Sequence, residues 1–304
     1  MQLRQLGNTN LQVSQICLGT MNWGEQNTLE EAFEQMDYAL EQQVNFFDTA
    51  ELYPVPPKRE TYTRTETIIG KWIESRKSRE KIILATKIAG KSPDLDWIRE
   101  GQNQFDEKNL TLALENSLRR LKTDYLDLYQ LHWPNRNTNF FGKLGYDGSP
   151  NTSDIPIEES LTVLKKFISQ GKILNYGLSN ETAWGAMNCL TKAQELSMPP
   201  PISIQNPYNL LNRTYEVGLS EVSIRENIKL LAYSPLGFGV LTGKYLKGQN
   251  PPGSRLDSFP NHFRRYNSNQ STSATNRYVK IANKHGISPT QMALSFVNNQ
   301  PFVA

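Results

Sequence analysis

The sequence predicts an α/β fold, a (β/α)8 barrel of the TIM type behind an N-terminal β-hairpin, from three observations. Short apolar runs recur seven times, and segments of helical period separate most of them. No glycine-rich dinucleotide fingerprint follows the first run, as an open doubly wound sheet of this kind would carry. The count of units also exceeds the five or six of that alternative.

The elements follow in order. Leu3 and Leu11–Val13 flank the turn "GNTN" and read as the hairpin. The strands are then expected at "ICLG" (16–19), "VNFFD" (44–48), "IILATK" (82–87) and "YLDLYQLH" (125–132). Three more are expected at "ILNYGLS" (173–179), "ISIQ" (202–205) and "IKLLAYS" (228–234). Leu110, Leu114, Leu118 and Leu121 share one helical face, as do Leu161, Leu164 and Ile168. Weaker patterns cover 29–40, 65–73 and 182–196; Asn27-Thr28 ahead of Glu30-Glu31 marks a capped start to the first of these. An eighth strand begins at "PFVA", where the chain stops, so the eighth βα unit is expected to be largely missing. No linker divides the chain, and 1–304 reads as one domain, incomplete at its C-terminus. Long connections at 89–107, 133–156 and 247–274 all follow strands and would lie on one face of a barrel.

Composition narrows the function classes. Of 304 residues, 38% are hydrophobic and 21% charged, a soluble globular balance. The +3 net charge is spread along the chain, which argues against a nucleic-acid partner. No apolar run is long enough for a membrane span and no signal peptide opens the chain, so a cytoplasmic protein is expected. Cys17 and Cys189 fit no metal-ligand spacing and read as small buried thiols.

In a barrel, chemistry gathers where the strands end. The expected strands close on Asp48, Lys87, His132, Ser179-Asn180, Gln205 and Tyr233-Ser234, with Tyr53 just beyond Asp48. Each residue alone has an ordinary role: a loop acid, a rim lysine, a structural histidine, a packing tyrosine. Together they suit carbonyl chemistry. An ammonium lowers a phenol's pKa, a carboxylate balances the ammonium, and an imidazole orients a carbonyl. The forming alkoxide needs a proton donor and a positive field.

At these residues the sequence resembles the aldo-keto reductase superfamily. "FFDTAELY", "ATK", "QLHWP", "GLSN", "IQNPYN" and "LLAYSPLGFGVLTGKY" occur in the family's order. "GTMNWGEQN", "AELYPVPP", "FGKLGY", "QNPYNLLNR" and "MALSFV" are similar to its Tas-like, NADP(H)-dependent branch. The resemblance implies an NADPH-dependent oxidoreductase that reduces small aldehydes or ketones without a metal. It makes Tyr53 the proton donor, Lys87 and Asp48 its supporting pair, and His132 the residue that orients the carbonyl. It assigns cofactor contacts to Asp48, Ser179, Asn180, Gln205, Tyr233, Ser234, Pro235, Leu236, Gly237 and Lys244, with Thr20, Met21 and Arg255 as further members. The family's segment beyond the eighth strand, which holds the adenosine and its 2′-phosphate, has no counterpart before Ala304. Two other readings stand beside this one: a nucleotide-binding regulatory module resembling potassium-channel β subunits, and a non-functional fragment. The aromatics Trp23, Trp133, Phe140, Phe141 and Tyr146 suggest an apolar carbonyl pocket, or rings that pack the loops down.

Overall fold

In the computed structural model, residues 1–148 and 155–304 are described. They form two compact units, 1–204 and 205–304. Strand and helix alternate along the chain as the apolar periodicity requires, in the (β/α)8-barrel class.

The first unit opens with the antiparallel hairpin β1 (Leu3–Gln5) and β2 (Gln12–Ser14). Gly7 turns it with a φ of +59°, and its α-hydrogen faces the Ile202 carbonyl so closely that no Cβ fits. Strands β3 (Cys17–Gly19), β4 (Phe46–Asp48), β5 (Ile83–Ile88), β6 (Leu128–Leu131) and β7 (Tyr176–Ser179) then pair in parallel, each with the next. Parallel neighbours need a crossover, and four helices supply it. They are α1 (Leu29–Glu41), α2 (Arg64–Arg76), α3 (Glu107–Leu121) and α4 (Ile157–Ser169); α5 (Ala183–Glu195) follows β7.

Local chemistry explains the helix starts. Thr28 and Glu31 form a reciprocal capping box at α1, as "NTLEE" suggested. Asp106 and Thr182 accept from the backbones of Asn109 and Gly185 at α3 and α5. The leucine stripe read from the sequence is the buried face of α3: Leu110, Leu114, Leu118 and Leu121, with Ala113 and Ser117 between. Gly70 on α2 lets that helix approach the last turn of α3, where a methyl group would overlap the Arg120 carbonyl oxygen. Between the two helices Glu66, fully buried, accepts from Thr86 and from Arg120, both at 2.6 Å.

The second unit contains most of β8 (Ser203–Pro207), then α6 (Leu219–Arg225) and β9 (Lys229–Tyr233). α7 (Arg255–Ser258), α8 (Asn269–Lys284) and α9 (Pro289–Asn298) complete it. The sheet order is β3-β4-β5-β6-β7-β8-β9. Val303, in "PFVA", makes a single parallel bridge to Leu230 of β9.

Two expectations need correction here. The connection expected over 247–274 is not loop throughout, because α7 and α8 occupy part of it. α8 carries an apolar row at helical spacing, Ala274, Tyr278, Ile281 and Ala282, which the sequence reading passed over. Cys17 is exposed rather than buried, whereas Cys189 is buried as expected, its thiol pushed up to about 12 by desolvation. Part of the 133–156 connection, 149–154, lies outside the described residues. Among the described residues no helix is long and apolar enough to cross a membrane, and no group of His, Cys, Asp and Glu is placed to hold a metal.

Candidate active site

The pairing register builds the first unit's polar centre. Paired residues in parallel strands face the same side, and side chains alternate along each strand. Gly19 pairs with Asp48, and Asp48 with Ala85. Two residues beyond Ala85 is Lys87, which pairs with Gln130; Gln130 pairs with Gly177. Two residues further along their strands stand His132 and Ser179. One face therefore carries Asp48, Lys87, Gln130, His132 and Ser179, with small residues at Gly19, Ala85 and Gly177 leaving it room. Cys17 shares this face; the residue is exposed, yet its thiol is desolvated, which together with Asp48 raises its pKa against the Lys87 charge.

Lys87 is completely buried. Its Nζ donates to Asp48 Oδ2 at 2.5 Å, to the Thr49 carbonyl at 2.8 Å and to the Tyr53 hydroxyl at 3.3 Å. Burial works against its charge, but Asp48 and Tyr53 outweigh that and its pKa is raised, so Lys87 is an ammonium. Gln130 Nε2 donates to Asp48 Oδ1 at 2.9 Å, and Thr20 Oγ1 to the Asp48 carbonyl at 2.8 Å. Lys87 and Gln130 thereby hold the carboxylate through its two oxygens, and Thr20 holds the backbone beside it.

Burial is the largest influence on Tyr53 and raises its pKa; Lys87 pulls the other way without prevailing. Lys87 thus lowers the phenol's pKa through its charge and its hydrogen bond, as expected, while burial keeps the net shift upward. In this state the phenol keeps its proton.

The Tyr53 and His132 rings meet edge-to-face with centroids 5.8 Å apart. Burial, reinforced by the Lys87 charge, holds the His132 pKa well below its usual value, so the imidazole is neutral. Its Nδ1 is buried without a hydrogen-bond partner. Asn180, in the left-handed region at φ +54°, donates through Nδ2 to the His132 carbonyl at 2.8 Å and to Ser179 Oγ at 3.1 Å. Asn180 thus fastens the end of β7 to the end of β6. Met21, half-buried, accepts from the Val55 amide at 2.9 Å through its carbonyl.

Of the five aromatics, Trp133 meets His132 at a tilt and Phe141 edge-to-face, and Phe140 meets Phe141 edge-to-face. Trp23 is a core residue whose indole donates to Gln35, and Tyr146 is exposed. A cavity of about 250 Å³ lies against Leu131, Leu178, Trp133 and Trp184. By strand alternation Leu131 and Leu178 face away from Lys87, and Asp48, Tyr53 and Lys87 do not line this cavity.

In the second unit Gln205 is buried on β8, and β9 ends on Tyr233. Ser234 and Gly237 are left-handed, at φ +56° and +55°, and Gly237 donates to the Ser234 carbonyl at 2.8 Å. Asn209, which the sequence reading passed over, donates to the same carbonyl at 2.9 Å. The turn through Pro235 and Leu236 is thus backbone-defined. Gly239, at φ +91°, lies against Lys244. Arg265 was also missed: its Nη1 donates to the Tyr233 hydroxyl at 3.4 Å, and its guanidinium lies 5.9 Å from the centre of the Phe238 ring. Phe238 meets Phe263, over which Arg255 lies at 5.1 Å. The signal was the basic pair in "FRRYN".

The model of the aldo/keto reductase family matches residues 15–304. The chain belongs to the aldo/keto reductase family. Protein tas of Escherichia coli is 49% identical over all of this chain and 88% of its own length. Aldo-keto reductase YhdN of Bacillus subtilis is 30% identical over 99% of this chain and 82% of its own. A rice protein named as a probable voltage-gated potassium channel subunit beta is 29% identical, over 100% and 85% respectively. Family membership makes the protein an oxidoreductase acting on small molecules, in a family that generally uses a nicotinamide cofactor.

Proposed function

We propose that the protein is an NADPH-dependent reductase of small aldehydes and ketones, with Tyr53 as the proton donor. The observation that carries this reading is the placement of the Lys87 ammonium, 3.3 Å from the Tyr53 hydroxyl and 2.5 Å from the Asp48 carboxylate.

The residues suit a nicotinamide nucleotide. Amide and hydroxyl groups at Ser179, Asn180 and Gln205 match a carboxamide in hydrogen-bonding character, and Tyr233 offers an aromatic face. Lys244, Arg255 and Arg265 supply cationic groups for phosphates near the turn through Ser234, Pro235, Leu236 and Gly237. When bound, the reduced nicotinamide supplies hydride to the carbonyl carbon.

The chain's own residues handle the proton. Burial keeps the Tyr53 phenol protonated until a base as strong as an alkoxide forms beside it. Lys87 then stabilises the phenolate, and Asp48 with Gln130 holds the ammonium in position. Neutral His132 can donate a hydrogen bond to the carbonyl oxygen without competing as an acid.

Aldehyde-dependent NADPH oxidation by the purified protein tests the reading. Tyr53→Phe is expected to lower kcat by about 10²–10⁴; a loss of only a few-fold would remove Tyr53 from the role. Tight NADPH binding with no turnover across a broad aldehyde panel would instead favour the regulatory role that the rice relative's name suggests.

A further inference from the structure

Tyr53 lies on the chain that leaves β4, and a side chain ends the pairing that this chain makes with β5. The pairing runs on past Asp48: the amides of Thr49 and Glu51 donate to the carbonyls of Ala85 and Lys87, at 2.9 and 3.0 Å. In a parallel ladder the next rung would join the Ala89 amide to the Glu51 carbonyl. The Ala89 amide donates instead to the Glu51 carboxylate, at 3.0 Å. Ala89 is completely buried, so its amide has no water to turn to. The carboxylate thus stands in for the carbonyl of its own residue. Freed of the ladder, the chain turns at once, with the Tyr53 amide donating to the Ala50 carbonyl at 3.1 Å. That turn carries the phenol back to within 3.3 Å of Lys87 Nζ.

Arg99 makes the buried carboxylate tolerable. Its Nη1 donates to both Glu51 oxygens, and its Nη2 donates to the Ala89 carbonyl at 2.6 Å. The two side chains are only 4% and 5% exposed, and between them they hold both polar groups of the Ala89 backbone. A buried ion pair adds little net stability over apolar replacements, so its contribution here is the arrangement it fixes.

We propose that Glu51 is a positioning residue for the proton donor: its carboxylate, balanced by Arg99, ends the pairing with β5 after Glu51 and so sets the Tyr53 phenol against the Lys87 ammonium. The proposal rests on the reductase reading above in taking Tyr53 as the donor, and on hydrogen-bond geometry for the arrangement. Without the carboxylate, the acceptor within reach of the Ala89 amide is the carbonyl of residue 51. Forming that rung would draw residues 51–53 along β5 and the phenol away from Nζ.

Two double variants test it, and neither leaves a member of the pair charged. Glu51→Gln/Arg99→Met keeps a side-chain acceptor for the Ala89 amide, and Glu51→Leu/Arg99→Met removes it. Glu51→Ala/Arg99→Met removes the same acceptor if leucine is not accommodated. Turnover is measured with acetaldehyde and with benzaldehyde, NADPH binding by fluorescence, and the Tyr53 ring by its 13Cζ resonance, assigned with Tyr53→Phe. The leucine variant is expected to lose about thirtyfold in kcat with both aldehydes alike, while KM and NADPH Kd stay within about threefold of wild type. The glutamine variant should keep kcat within about threefold, and the Tyr53 resonance should move in the leucine variant alone. Equal kcat in the two variants would overturn the proposal, as would a resonance that stays in place when the acceptor is removed. A loss carried by KM or by NADPH binding alone would overturn it too. If the wild type turns over neither aldehyde, the reductase reading fails, and the resonance still decides whether Glu51 positions Tyr53.

Discussion

Three buried side chains, Asp48, Lys87 and Gln130, do their work only as a set, because each would be costly alone. A fully buried ammonium is tolerated because a carboxylate, a carbonyl and a phenol surround it. Gln130→Leu removes a donor from Asp48, and the urea midpoint is expected to fall by the equivalent of about 1–3 kcal/mol. His132 sets a pH dependence of its own. Its folded pKa is depressed, whereas an unfolded imidazole titrates near 6.5. Below about pH 6.5 the unfolded chain therefore binds a proton that the folded chain refuses. The stability tied to neutral His132 is complete above that value and lost as pH falls from it towards the folded pKa. His132→Asn should flatten the acid side of a stability–pH curve; a slope equal to wild type would contradict this origin. Asp48, Lys87 and His132 were legible from the sequence because each closes an apolar run. Gln130 was not, since nothing in "LYQL" shows which way its amide turns until the register is known.

Helix–helix contact, more than helix propensity, decides the cost of changes among the elements. At Gly70 an added methyl meets a backbone carbonyl of α3, which cannot rotate away as a side chain would. Gly70→Ala is expected to cost about 1–3 kcal/mol through overpacking, despite alanine's better propensity. Thr28→Ala removes half of a capping box at an exposed helix start and should cost only about 1 kcal/mol. Thermal melts of the two variants give the ranking, and a larger loss at Thr28 would reverse the argument. The elements with strong period or clear caps, α1, α3 and α4, were readable in the sequence. α8 and α9 were passed over, although Ala274, Tyr278, Ile281 and Ala282 share one face of α8, and "SPTQ" holds the α9 cap, with Ser288 and Gln291 in a reciprocal box and Pro289 at the first position.

At the scale of the whole chain, the fold is coupled to its ligand by mass action. A nucleotide that binds only the folded state stabilises it by about 2.7 kcal/mol at a hundredfold excess over Kd. NADPH is therefore expected to raise the melting temperature, and more than NADH does at equal concentration if the cationic groups of the second unit meet the additional phosphate. Arg265→Ala should shrink the NADPH-induced rise, and an undiminished rise would exclude that arginine from binding. The basic character of "FRRYN" was visible in the sequence, but its nearness to Tyr233 was not.

What the sequence determined by itself was the alternation of strand and helix and the identity of the residues at the strand ends. Those follow from local periodicity and from where apolar runs stop. Only the tertiary structure decided that Asp48, Lys87, Gln130 and His132 share one face, because parallel register is set by pairing between segments distant in the chain. It also decided the direction of the Tyr53 shift. Proximity to an ammonium argues for a lowered pKa, but the net effect depends on how completely the phenol is removed from water.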